Sequence, residues 1–402
     1  MNEDRLTKLL RDHPIPDEHA AEERAWQVAR AAFEGRDLEP APRPRRRRAR
    51  LVLALTGAIV AAAALALTPA GAKVGDLIDD VIEQGQERAE PALTSLPTDG
   101  RLLVESAQGP WIVQPDGSKR LLGEYDQATW SPGGLFVAAT RGAELTAVVG
   151  NPATVGEAAG TVRWSLAADE TVRYPAWAPS GFRIAYLSGD SLRVVAGDGT
   201  DDRELDERVT ATPPTWKPGQ RHLLTYVDRD RRVRLVNADS GRELWASARY
   251  AADVKSLAWS RDGGRLLVLT NSFYTVLDDR GRSIAKGPTR GTADAAAFSP
   301  DGPIALIRHS GSKTAAGFTE VVLVNEFGDE RRLFSGPGRF ADLTWSPDGR
   351  WLLFSWRDAD QWLFVRPDGG KPDAVSNISR QFNPGAGEEA PFPRVSGWCC
   401  PR

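Results

Sequence analysis

An aromatic residue followed by a Ser-Pro-Asp-Gly-like turn recurs along this chain, and nothing else restricts its fold as strongly. The copies read Trp130-Ser-Pro-Gly-Gly, Trp177-Ala-Pro-Ser-Gly, Trp216-Lys-Pro-Gly-Gln, Trp259-Ser-Arg-Asp-Gly, Phe298-Ser-Pro-Asp-Gly and Trp345-Ser-Pro-Asp-Gly. Successive aromatics stand 47, 39, 43, 39 and 47 residues apart. Aromatic residues make up only 8% of the chain, so six of them in register form a repeat and not a coincidence. A period of this length marks a supersecondary unit that must bury its faces against copies of itself.

Each copy has the same internal order. An apolar strand follows the anchor: Leu135 to Ala139, Arg183 to Leu187, His222 to Val227, Leu266 to Thr270, Ile304 to Arg308 and Trp351 to Ser355. A second strand comes next, as in Leu192 to Val195, Val233 to Val236, Val321 to Val324 and Trp362 to Val365. It runs into a turn such as Asp198-Gly199, Asp239-Ser-Gly241, Asp279-Arg-Gly281 or Asp368-Gly369, whose residues suit the positive φ of hairpins. A more polar strand then leads to the next anchor. Four short strands per unit make a propeller blade. The anchor aromatic wedges between sheets, proline breaks the ladder, and Asp-Gly turns the chain.

The ends supply the closure. Arg101 to Gly123 holds three strands, RLLVES, PWIVQPDG and KRLLG, before the first anchor strand. The missing fourth is FPRVSGWCC, Phe392 to Cys400, with Trp398 at the aromatic position. The expected fold is therefore all-β, a seven-bladed propeller over 101–402 whose last blade pairs Arg101–Ser106 with Arg394–Cys400. Six blades are the alternative if one repeat is degenerate. The seven structural anchors are Trp130, Trp177, Trp216, Trp259, Phe298, Trp345 and Trp398.

The anchor with its following apolar strand resembles the TolB-type or WD40-like (PD40) β-propeller repeats of bacteria, from about Arg101 to Cys400. Phe298 to Gly302 and Trp345 to Gly349 are the most faithful copies, and Trp216 to Gln220 and Trp259 to Gly263 depart from the pattern. The Trp-Asp and Gly-His dipeptides of eukaryotic WD40 repeats are absent. Asp239-Ser-Gly-Arg-Glu-Leu-Trp245 is similar to a quinoprotein propeller repeat, but occurs clearly once. The resemblance implies a fold and a tendency to bind other proteins, and no reaction, because propellers host many functions.

The N-terminal hundred residues read differently. Residues 1–50 form a polar, cytoplasmic segment with a short helical pattern over Ala20 to Phe33, next to Trp26, and six arginines within 43–50. Leu51 to Leu67 carries no charge and, extended to Ala72, is long enough for one transmembrane helix. The arginines before it place the N-terminus in the cytoplasm and the propeller outside. Ala70-Gly71-Ala72 has the form of a signal-peptide cleavage site, the alternative to an uncleaved anchor. Residues 73–100 read as a juxtamembrane helix, Lys73 to Arg88, and a proline-bearing linker. The layout is similar to that of bacterial membrane regulators such as anti-sigma factors, without their His-x3-Cys-x2-Cys zinc pattern.

Chemistry is sparse. Cys399 and Cys400 are the two cysteines, which excludes a disulfide framework or a four-cysteine zinc site. They read as strand residues without a redox role, one facing the sheet interior. An intermolecular or vicinal disulfide is the alternative. The four histidines, His13, His19, His222 and His309, form no HExxH or HxH pair. Gly189-Asp-Ser-Leu192 matches the GDSL string of one hydrolase family, where serine sits on a strand-to-helix turn with a later histidine as base. Here it falls in a hairpin, and no D-x-x-H follows. No catalytic residue, cofactor or metal is expected. A formal net charge of −3 gives no reason to expect nucleic acid.

The leading functional expectation is a membrane-anchored, extracytoplasmic protein-binding or scaffolding module. Two long loops, His309 to Phe318 and Ser376 to Pro393, are the candidate contacts for an unknown protein partner. The alternatives are a sensor signalling to the Trp26 helix and a hydrolase- or quinoprotein-like propeller enzyme.

Overall fold

The computed structural model describes residues 92–151, 158–219, 221–310, 318–385 and 390–400. All lie in one compact unit, Glu83–Arg402. The helix expected at 20–33, the arginine run, the membrane span at 51–72 and the helix at 73–88 lie outside the described residues. Among those described, no helix is long and apolar enough to cross a membrane.

The strands form seven four-stranded antiparallel sheets, each taking its strands in spatial order from the motif strand outward. Blades 1 to 6 follow the chain. Their inner strands are Gln127–Trp130, Val172–Trp177, Thr215–Trp216, Val254–Trp259, Thr292–Phe298 and Phe340–Trp345. Blade 7 joins the chain ends: Arg394–Cys399 is innermost, followed by Arg101–Ser106, Gly109–Val113 and Lys119–Leu121. The closing register pairs Arg101 with Cys399, Leu102 with Trp398 and Glu105 with Arg394. Each inner strand touches the inner strands of both neighbouring blades, and this circle is complete. A ring closed in this way leaves only short, protected strand edges.

The second strands are buried on both faces, which explains why the sequence shows them as unbroken apolar runs. Alternation still operates inside them. Leu102 and Val104 pack into the cluster shared with blade 6, whereas Leu103 packs into the cluster shared with blade 1. The core is accordingly divided into seven clusters, one at each seam between blades. Outer strands such as Val162–Ala167 and Glu243–Ala246 face solvent on alternate residues.

The motif turn can be read atom by atom. In blade 6, the Ser346 hydroxyl accepts the Trp351 N–H at 3.0 Å and donates to Asp348 Oδ1 at 2.6 Å. The Gly349 N–H then donates to the Ser346 carbonyl at 2.9 Å, with Gly349 at φ +71°, where a side chain would be strained. Ser260, Asp262 and Arg265 repeat the arrangement in blade 4. Blade 5 differs because Pro303 opens its second strand and has no N–H to give. Ser299 Oγ there receives only the Asp301 N–H, at 3.3 Å.

A second recurring device uses the outer strand. The Trp245 indole donates to Asp279 O of the next blade at 3.0 Å, and its ring covers Gly281, where a Cβ would meet it at 2.6 Å. Trp164 docks in the same manner on Gly199, bonding Gly197 O at 2.9 Å. The Asp239-to-Trp245 stretch thus marks blade-to-blade packing.

Residues 92–100, expected as linker, are packed against the propeller. Leu93 and Leu96 are buried in the cluster between blades 6 and 7, and the Leu96 N–H bonds Pro115 O at 2.8 Å. The same seam takes up much of the loop after Ser376. A short helix, Ile378–Phe382, buries Ile378 and Phe382 completely, with Phe382 5.1 Å from the Trp362 ring and 6.0 Å from Trp111. The loop Ser376 to Pro393, expected as a partner contact, is thus packed into this seam in part. Blade 6 has an outer strand of only three residues, Asp373–Val375, and the helix fills the gap. Cys399 and Cys400 are joined to each other, and both are half-buried. The vicinal alternative replaces the reading of two unpaired cysteines with one facing the interior.

Candidate functional site

Six anchors are the last residue of their inner strand and Trp398 is the last but one, and their surroundings show what they do. Trp216, Trp259, Phe298, Trp345 and Trp398 are buried, while Trp130 and Trp177 are half-buried. Several work across a seam. The Trp216 indole donates to Ala176 O of blade 2 at 2.8 Å, and the Trp259 indole to Thr225 Oγ1 of blade 3 at 3.0 Å. Cations from the preceding blade lie over three anchors: Arg101 over Trp130 (5.5 Å), Lys217 over Trp259 (5.3 Å) and Arg265 over Phe298 (5.1 Å). Each such contact contributes about 0.5–1 kcal/mol at an exposed site. The anchors fasten the seams between blades.

The polar groups gather at the other end of the inner strands. Five of the seven carry a register shift upstream of the anchor. The residues skipped are Tyr174 and Pro175, Lys255, Asp294, Asp342 and Leu343, and Ser396. Tyr174 and Asp342 take positive φ, 54° and 57°. A bulge releases a residue from the ladder and re-aims its side chain, which is why bulges concentrate at rims and functional sites. Here they face the axis, because the inner strand's free edge borders the ring.

Some of these groups tie blade to blade. Gln127 Oε1 accepts the Tyr174 N–H at 2.6 Å, Thr212 Oγ1 donates to Val254 O at 2.9 Å, and Lys255 Nζ donates to Ala293 O at 2.5 Å. At the closure, Glu105 Oε1 accepts the Ala128 N–H of blade 1 at 2.8 Å while Oε2 holds Arg394 at 2.6 Å. Asp342 accepts from Ser355 Oγ at 2.8 Å and from the Val395 backbone across the last seam. Burial raises its carboxyl above the ordinary range, against the pull of Ser355, Arg357 and Arg394. His309 Nδ1 meets Asp294 Oδ2 at 2.6 Å beside the long blade-5 hairpin. Inner strands run toward the motif turn, so these groups share a face with the end of Ile304–Ser310 and the start of Phe318–Val324.

The groups released at these bulges are one cation, Lys255, two carboxyls, Asp294 and Asp342, and the hydroxyls of Tyr174 and Ser396. Among the described residues, no three His, Cys, Asp or Glu side chains are grouped to hold a metal ion. The Gly189–Asp190 turn joins two strands of blade 2, Arg183–Ser188 and Ser191–Ala196, so Ser191 begins a strand and not a helix. Sequence reading missed the ring residues. Aligning the repeats on their anchors would have exposed them as polar residues three or four positions upstream, inside otherwise apolar strands.

A family model described as the lipoprotein LpqB beta-propeller domain matches residues 153–284, which run from the end of blade 1 into the outer strand of blade 4. An uncharacterized peptidase, YuxL of Bacillus subtilis (strain 168), is 27% identical over 201 residues. That alignment takes in 46% of this chain but only 29% of the relative, so the chain spans less than a third of the relative's length. Among solved structures, hydrazine synthase of Kuenenia stuttgartiensis is similar at a TM-score of 0.48 and 14% identity, covering 65% of this chain and 80% of that one. The Cps50 (Swd1) β-propeller domain of Myceliophteria thermophila gives 0.47 and 12%, covering 63% and 86%.

Proposed function

We propose that this bacterial-type β-propeller is a protein-binding module held outside the cytoplasm by a single membrane span at 51–72, with residues 1–50 inside. The ring of bulged residues at the axis carries the reading. Tyr174, Lys255, Asp294 and Asp342 are freed from their ladders at the face where Ile304–Ser310 ends and Phe318–Val324 begins. The matched description, a lipoprotein's propeller, agrees with a propeller presented at a membrane. The charged run before the apolar stretch sets the orientation.

The test is cross-linking of the full chain in membranes, followed by mass spectrometry. A partner cross-linked to wild type is expected to be lost when Lys255 and Asp294 are both changed to Ala, and retained when Phe182 on the motif face is changed. Recovery of the protein without any cross-linked partner would overturn the binding reading. Protease digestion of sealed cells and spheroplasts tests topology separately: the propeller should be cut from outside.

A further inference from the structure

The serine that meets a histidine base in this fold is not the one in the Gly-Asp-Ser-Leu string. Ser180 lies in the motif turn of blade 2, at the position held by aspartate in the faithful copies. His222 and Asp239 lie across the seam in blade 3. His222 Nε2 stands 2.9 Å from Ser180 Oγ, and His222 Nδ1 stands 2.6 Å from Asp239 Oδ2. We propose that Ser180, His222 and Asp239 form a nucleophilic acyl-transfer site on the motif face, open to esters with a small apolar acyl group.

The proton positions follow from the partners. A carboxylate only accepts hydrogen bonds, so Nδ1 must donate to Asp239. In neutral imidazole that leaves Nε2 as acceptor, and the Ser180 hydroxyl donates to it. This is the orientation in which histidine serves as general base to a serine nucleophile. Asp239 is held for the task. Partial burial pulls its carboxyl upward, but the bond to His222 and the Arg183 guanidinium keep it below the usual carboxylate range. Arg183 Nε bonds the other oxygen, Oδ1, at 3.0 Å, and Arg203 stands 3.7 Å from it. The histidine is therefore gripped from behind, and Ser180 is half-buried at the front beside the exposed ring of Phe182.

The reaction balances within these groups and water. Ser180 Oγ attacks the ester carbonyl carbon as its proton passes to His222 Nε2. The C–O bond to the alcohol breaks and His222 protonates the departing oxygen, leaving an acyl-serine. Water then adds to that carbonyl and gives a proton to His222. The Ser180 Oγ–carbon bond breaks, the proton returns to Oγ, and a carboxylic acid is released. One part is thin. The Gly181 N–H is spent on Ala178 O and the Phe182 N–H on Ser180 Oγ itself. Neither of these two groups is then free to hold an oxyanion. Loss of one oxyanion donor costs about 10²–10³ in rate, so acylation is expected to be slow and best seen as a trapped adduct.

The experiment incubates the full chain in detergent with diisopropyl fluorophosphate, whose fluoride leaves as Ser180 Oγ bonds phosphorus, and maps the adduct by tandem mass spectrometry. Wild type should carry one adduct at Ser180. Ser180→Ala should carry none, and His222→Asn should label at least tenfold more slowly, because a general base contributes about 10²–10⁴. Ser191→Ala should label like wild type. A p-nitrophenyl acetate assay should show a burst that Ser180→Ala abolishes. No adduct on wild type, an adduct elsewhere, or an unchanged rate in folded His222→Asn would each overturn the proposal. If His222→Asn does not fold, the mapped wild-type adduct and Ser180→Ala still decide.

Discussion

Replacing Ser346 by Ala should destabilise the propeller far more than replacing Ser299 by Ala, although both serines occupy one motif position and both are buried. Ser346 is 1% exposed, and its hydroxyl takes the Trp351 N–H and gives its own proton to Asp348. Removing it strands a partly buried backbone donor, at about 1–3 kcal/mol. It also removes one bond to Asp348, discounted to under about 1 kcal/mol because that carboxylate is 31% exposed and keeps Thr98 and the Arg350 N–H. The expected total is about 2–3 kcal/mol. Ser299, 6% exposed, loses one 3.3 Å bond from Asp301, about 0.5–1 kcal/mol, because Pro303 has no N–H to strand. Thermal unfolding by circular dichroism reads the contrast. At about 2–4 °C per kcal/mol for a large domain, Ser346→Ala should fall by roughly 4–12 °C and Ser299→Ala by roughly 1–4 °C. Equal losses would refute the account, since the two sites differ only in what the hydroxyl holds.

Three further outcomes follow from the seams. Glu105→Ala removes the acceptor for the buried Ala128 N–H and the partner of Arg394, so it should cost about 2–4 kcal/mol in denaturant melts. Glu105→Gln keeps the first bond and should cost less; equal losses would show that the bridge to blade 1 contributes nothing. Asp342 has a folded-state affinity for its proton raised by burial, so its unfolded carboxyl ionises first and stability falls as pH rises from the ordinary carboxylate range toward the folded value. Asp342→Asn should therefore gain on wild type between acid and neutral pH, and a difference independent of pH would count against this sign. Truncation after Pro393 removes the strand paired with Arg101–Ser106 and opens the ring. That protein should show no cooperative melt and should aggregate through the freed edge, whereas a sharp wild-type-like transition would contradict closure by the chain ends.

What could be read from the residues was whatever repeats or alternates locally. The spacing of the anchors, the apolar second strands and the turns before the outer strands each reflect a backbone requirement met within a few residues. Seven blades and their closure through Trp398 followed from counting strands. The polar ring was less visible because a bulge depends on how an inner strand pairs with its neighbour, and Asp294 or Lys255 looks like an ordinary surface charge in the sequence. The packing of the loop after Ser376 was hidden for a similar reason: Ile378 and Phe382 are buried beside the short outer strand of blade 6, a feature of the assembled seam.

The sequence alone determined the unit, its number and its order around the ring, because each blade's strands are adjacent in the chain and their pattern is set by period-two burial and turn geometry. The tertiary structure decided everything that crosses a seam. Glu105 reaches Ala128, Trp245 covers Gly281, and Ser180 meets His222 and Asp239 only once neighbouring sheets stand face to face. Such contacts depend on the angle and offset between blades. Packing sets those two quantities, and no local periodicity encodes them.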